Sequence, residues 1–77
     1  MSDEISAPAT AKAIGHLVKE LRGKAGITTT ELAERVGISQ AQISRLENGK
    51  QGFRSATLAK IADALGYEVK VVFLPKP

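Results

Sequence analysis

The 77-residue chain has no cysteine and no tryptophan, one tyrosine, two phenylalanines and a single histidine. Without cysteine there is neither a disulfide nor a thiolate metal site to hold a small domain together. A domain of this length buries only part of its surface and is marginal alone, so its stability must come from close helix packing or from a second copy of itself. No apolar run approaches the roughly 20 residues of a membrane span. The opening MSDEISAPAT is acidic and lacks both a basic and an apolar region, so it reads as a loose tail over residues 1–9 rather than a signal peptide. His16 has no partner in sequence for acid–base chemistry, and no His or acid pair has metal-ligand spacing. Gly23–Lys24 and Gly49–Lys50 occur without the rest of a phosphate-binding loop. The expectation is therefore a protein that is not an enzyme, with no cofactor, no metal and no membrane partner.

What is present is charge of one sign and helical periodicity. All 11 Lys and Arg lie in residues 10–77, with six of the eight acids, which leaves that part at about +5. Such a balance favours polyanionic partners. In residues 10–24, Ile14, Leu17, Val18 and Leu21 fall on one helical face, with Thr10 as N-cap and Gly26 as stop. Residues 29–36, TTELAERV, form a second helix. Thr28 and Glu31 make the T-x-x-E capping box, Leu32, Ala33 and Val36 the inward stripe, and Gly37 the stop. Ile38 alone precedes the next cap, Ser39, so the third helix, residues 40–48, follows a tight turn. Two short helices joined this way form a helix-turn-helix unit. After the loop KQGFR, residues 55–65 repeat the pattern with Leu58, Ile61, Ala62 and Leu65, and Gly66 ends the helix. YEVKVVFL, residues 67–74, is β-branched and aromatic; Tyr67, Val69, Val71 and Phe73 alternate with Glu68, Lys70, Val72 and Leu74, which reads as a strand. No second strand exists in the chain to pair with it. The economical solution is antiparallel pairing with a second copy about a two-fold axis; a disordered or folded-back tail is the alternative.

On a wheel of about 100° per residue, Ile43 and Leu46 face the core with Ser39 beside them. Ala41 and Arg45 point away, flanked by Ser44 and Asn48, and Gln40 lies in the exposed first turn. Arg matches guanine O6 and N7, Gln matches adenine N6 and N7, and Ala can touch a thymine methyl, so this face suits the DNA major groove. Helix N-termini would offer N–H groups to phosphate. Any short amphipathic helix has a polar outer face; it is the capped second helix, the tight turn and the basic balance that turn it toward DNA. Glu47 falls on the inward side, where a carboxylate needs a partner, and Arg22 is the candidate; the alternative is that Glu47 swings out to solvent.

TTTELAERVGISQAQISRLENGK followed by TLAKIADALG resembles the Cro/C1-type (Xre-like) helix-turn-helix regulators over residues 14–66. The resemblance implies a mainly α, lambda-repressor-like bundle of four or five helices with the third as recognition helix. It places base contacts on Gln40, Ala41, Ser44 and Arg45, phosphate contacts on Thr29, Gln42, Asn48 and Lys50, and a buried ion pair on Arg22 and Glu47. Thr29 stands where the family often has Gln, and Phe53 where it often has Pro. A strand in place of a fifth helix resembles a subset of antitoxins, the HipB-like and HigA-like ones; in HipB-like members such a strand pairs between two copies. The function implied is a homodimeric, sequence-specific repressor on double-stranded DNA, cytoplasmic and nucleoid-associated, with residues 67–77 as the dimerisation segment carrying Tyr67, Val69, Val71 and Phe73. Two rivals stand beside it: an antitoxin that neutralises a partner toxin and autoregulates its operon, and a nonspecific basic chromosomal protein.

Overall fold

The computed structural model describes residues 4–77. It contains four helices: α1 (Ala11–Ala25), α2 (Thr29–Val36), α3 (Gln40–Glu47) and α4 (Ser55–Ala64). The first three begin at hydroxyl N-caps in extended conformation. The side chains of Thr10, Thr28 and Ser39 accept from the backbone N–H of Ala13, Glu31 and Gln42 respectively, and Glu31 returns a carboxylate to the Thr28 N–H at 3.1 Å. Such caps are each worth about 1 kcal/mol. The fourth helix starts after Arg54 without a side-chain cap.

The core lies where α1 and α2 pack on the inner face of α3 and α4 packs against α2. Leu32, Ile43, Leu46 and Ile61 are fully buried, joined by Val18, Ala33 and Val36. Ile14, Ile27, Ile38, Phe53, Leu58 and Leu65 pack half-buried around them. Phe53 thus seats the loop before α4 on the core by apolar burial. The short turn between α2 and α3 depends on Gly37, whose φ of 85° is a left-handed conformation that glycine adopts without penalty.

Three sequence expectations change. Ser39 is an exposed cap rather than a core neighbour, because its hydroxyl is committed to the Gln42 N–H. Asn48 and Leu65 are C-cap residues rather than the last residues of helices. The strand over 67–74 is not formed: no strand occurs among the described residues. One copy supplies no second strand, and an isolated strand has nothing to satisfy its backbone groups. The helix count is four among the described residues, with no fifth helix after Gly66. Of the N-terminal tail, residues 4–9 are irregular and residues 1–3 lie outside the described residues.

Candidate nucleic-acid interface

The outward side of α3 presents Gln40, Ala41 and Arg45 exposed, with Ser44 half-buried beside them. Two hydrogen bonds hold this face in shape. Gln40 Nε2 donates to Thr29 Oγ1 at 3.0 Å, so the first residues of α2 and α3 meet although 11 positions separate them. Arg45 Nε donates to Gln51 Oε1 at 3.1 Å. Asn48, exposed at the C-cap, reaches Ser44 Oγ at 3.5 Å, the outer limit of a hydrogen bond. Lys50 is exposed in the following loop, and Gln42, half-buried, turns toward Gln51, Arg54 and Thr57 at the start of α4. Arg45 occupies the last turn of α3, where a cation is also favoured by the helix dipole.

Behind this face lies the one buried charged residue among the described residues, Glu47. Arg22 Nε donates to Glu47 Oε2 at 2.7 Å and Arg22 Nη2 to Glu47 Oε1 at 3.1 Å, a bidentate pair. Arg22 Nη1 donates to the Ile27 carbonyl at 2.9 Å, so the same guanidinium also ties down the connection between α1 and α2. The hydrogen bond to Glu47 holds the Arg22 pKa above its ordinary value against the opposing effect of burial. Stability gained this way is fully present below the unfolded value and lost only as pH rises through the folded one, so the guanidinium stays charged at any physiological pH.

The α1–α3 contact is closer than two ordinary helices allow. Gly15 is buried, and a Cβ there would collide with the Leu46 carbonyl oxygen and stand 2.8 Å from that of Glu47. Gly49, at φ 69°, has the Lys12 backbone 2.8 Å from where its Cβ would be. These two glycines let α1 press on the C-terminal end of α3. Neither the Gly15 contact nor the Arg45–Gln51 bond follows from periodicity: in the α1 pattern Gly15 is only a weak helix former, and Gln51 is one loop residue among five.

Tyr67 and Val69 are each 41% exposed, whereas Val71 and Phe73 are 79% and 93% exposed. The segment leaves the body progressively, and the helical core does not cover its apolar side chains.

Among the described residues no group of His, Cys, Asp and Glu could hold a metal ion, and no helix is long and apolar enough to cross a membrane. A capped helix-turn-helix with a polar, donor-rich second helix, on a basic chain, defines the class: a helix-turn-helix DNA-binding domain. The helix-turn-helix family model matches residues 18–72, and the chain belongs to that family, in its Cro/C1 (Xre-like) branch. This is a family of DNA-binding regulators and not of enzymes.

Similar proteins include the competence pilus inhibition repressor of Acinetobacter baylyi, 41% identical over 61 residues that make up 79% of this chain and 56% of the relative. The transcriptional repressor RghR of Bacillus subtilis is 42% identical over 55 residues, 70% of this chain and 41% of that protein. The chain thus spans about half the length of these relatives. Among solved structures, the clp gene regulator ClgR of Corynebacterium glutamicum superimposes with a TM-score of 0.76 at 33% identity, covering 86% of this chain and 85% of that one. SinR, a master regulator for biofilm formation, matches in its complex with DNA with a TM-score of 0.68 at 28% identity, over 71% of this chain and 89% of that one. A chain of the HipA–HipB–O2–O3 complex matches with a TM-score of 0.76 at 27% identity, over 92% of this chain and 100% of that one. The fold is the lambda-repressor-like helix-turn-helix bundle.

Proposed function

We propose that this chain is a sequence-specific transcriptional repressor that binds double-stranded DNA as a homodimer, each copy laying α3 in a major groove. The observation that carries the reading is the joint exposure of Gln40, Ala41 and Arg45 on one side of a helix whose other side is fully buried. Gln40, Ala41, Ser44 and Arg45 read base edges. Thr29, Gln42, Asn48 and Lys50 grip phosphates around them and set the register. The likeness to SinR in complex with DNA, and to repressors of Acinetobacter and Bacillus, supports this assignment.

The exposed apolar side chains of residues 67–74 support the dimer. Antiparallel pairing of two such segments about a two-fold axis gives each strand its missing partner and buries Tyr67, Val69, Val71 and Phe73 between copies. Two recognition helices related this way address an imperfect palindrome, with half-sites about 34 Å apart or a multiple of it. Such a repressor works on the nucleoid, in the cytoplasm. Likeness to a chain of the HipA–HipB–O2–O3 complex favours one second reading, an antitoxin that neutralises a partner protein and represses its own operon.

The test is binding of the purified protein to DNA upstream of its own gene, against scrambled DNA, across a salt series. A footprinted palindrome with weak scrambled binding is the expected result. Equal and steeply salt-dependent binding to both would reduce α3 to the polar side of a basic protein.

A further inference from the structure

We infer that Gln51, in the loop after α3, is a positioning residue that sets how Arg45 is presented to DNA, and so contributes to base specificity without touching a base. The inference rests on the reading of Arg45 as a base-contacting residue. It starts from the way α3 ends. Gly49, in left-handed conformation, donates its N–H to the Leu46 carbonyl at 3.1 Å, and the Lys50 N–H reaches the Arg45 carbonyl at 2.9 Å. This pair of bonds is the Schellman closure of a helix. It turns the chain back over the last turn of α3, and contact of Gly49 with the Lys12 backbone braces the turn from behind. The residue after that closure is Gln51. Its position relative to Arg45 is therefore set by backbone hydrogen bonds and not by a free loop.

From there Gln51 Oε1 accepts from Arg45 Nε at 3.1 Å. Gln51 is itself half-buried, in a small polar depression lined also by Gln42, Leu46, Arg54 and Thr57. Arg45 is exposed and otherwise carries its guanidinium on a long flexible stem. A hydrogen bond at Nε fixes the plane of the guanidinium and occupies the donor on its inner edge. The four N–H donors of the two terminal nitrogens stay free. The fork that remains faces outward along the side chain, matched to the O6 and N7 acceptors of a guanine met end-on. Holding that geometry before DNA arrives lowers the ordering cost of the contact.

The experiment selects preferred sites from a randomised duplex library with the full-length protein, then measures affinity for every single-base variant of the best site. Gln51→Ala, Gln51→Glu, Arg45→Ala and the double variant are compared with the parent, each with its salt slope. In the parent, one position per half-site should require guanine, and Arg45→Ala should abolish that requirement. Gln51→Ala should weaken the guanine preference at that same position about five- to tenfold, leave the other positions and the salt slope unchanged, and have no further effect when Arg45 is already Ala. Gln51→Glu keeps the acceptor oxygen and should keep the guanine preference, while its charge lowers affinity for all sequences alike. Unchanged preference in Gln51→Ala, or a changed preference at a different position, overturns the inference, the second outcome making Gln51 a base reader itself. A parent with no preferred site, or an Arg45→Ala variant that loses affinity equally on all sequences, overturns the underlying reading and the inference with it.

Discussion

The guanidinium of Arg22 grips both carboxylate oxygens of Glu47 across 25 residues of sequence, joining the last turn of α1 to the last residue of α3. The Glu47 side chain is 4% exposed and that of Arg22 17%. A carboxylate that deep is held only by a partner of matching geometry, because removing one member strands the other charge in a poor solvent. The pair therefore fixes the angle at which α3 leaves the body, behind the face assigned to DNA. Glu47→Ala should destabilise the fold by about 3 kcal/mol, read as a lower urea midpoint with unchanged m-value. A loss under 1 kcal/mol would mean that water solvates Arg22 as well as Glu47 does.

Gly15 and Gly23 make a contrast of sign within one helix. Alanine is the better helix former by nearly 1 kcal/mol, so propensity alone expects both Gly→Ala changes to stabilise. At Gly23 no atom beyond the neighbouring backbone of its own helix lies within 4 Å of the added Cβ, and Gly23→Ala should raise the melting temperature. At Gly15 the Cβ meets the backbone carbonyls of Leu46 and Glu47, which cannot move without shifting α3. Gly15→Ala should lower the melting temperature and weaken DNA binding. Stabilisation at both positions would show that α1 and α3 can separate at little cost.

Arg45 and Lys50 should separate base reading from phosphate contact. Arg45→Ala should cost about 1–3 kcal/mol on the preferred site and relax one base position. Lys50→Ala should weaken all sequences similarly and reduce the salt slope by about 1. Equal losses on preferred and random DNA for Arg45→Ala would assign Arg45 to the phosphate backbone.

Removing residues 67–77 deletes exposed side chains and one backbone bond, from the Tyr67 N–H to the Ala62 carbonyl at 2.8 Å, so the four-helix body should keep its fold with only the end of α4 loosened. Sedimentation should then find monomers, and affinity for the palindrome should fall because two half-sites are no longer linked. A truncated protein that still sediments as a dimer would move the interface to the helices, with α4 as the next candidate.

Much of the fold was legible in order of residues because it rests on local chemistry. A hydroxyl at position 10, 28 or 39 can cap a helix without knowing what packs on it, and the capping box of Thr28 and Glu31 spans three residues. The i, i+3, i+4, i+7 patterns likewise mark buried faces before any partner is known, and Val18, Leu32, Ile43 and Ile61 are found in the core. Residues 67–74 mark the limit of that logic: alternation records a capacity to pair, while pairing needs a second strand that the described residues of one copy do not hold.

The sequence by itself thus determined the four helices, the caps of the first three, most of their inward faces and the polar side of α3, since each depends on neighbours within about one turn of the chain. Leu17 and Leu21 of the expected α1 stripe stay half-buried outside the core cluster. Only the tertiary structure decided what reaches across it. It decided that Gly15 is the point where α1 touches the carbonyls of α3, and that Gln40 leans on Thr29. It also decided that Arg45 is braced by Gln51 once the loop has turned back at Gly49. These contacts depend on the crossing of helices and the path of a loop, and no pattern along the chain encodes a distance between two elements until they are packed.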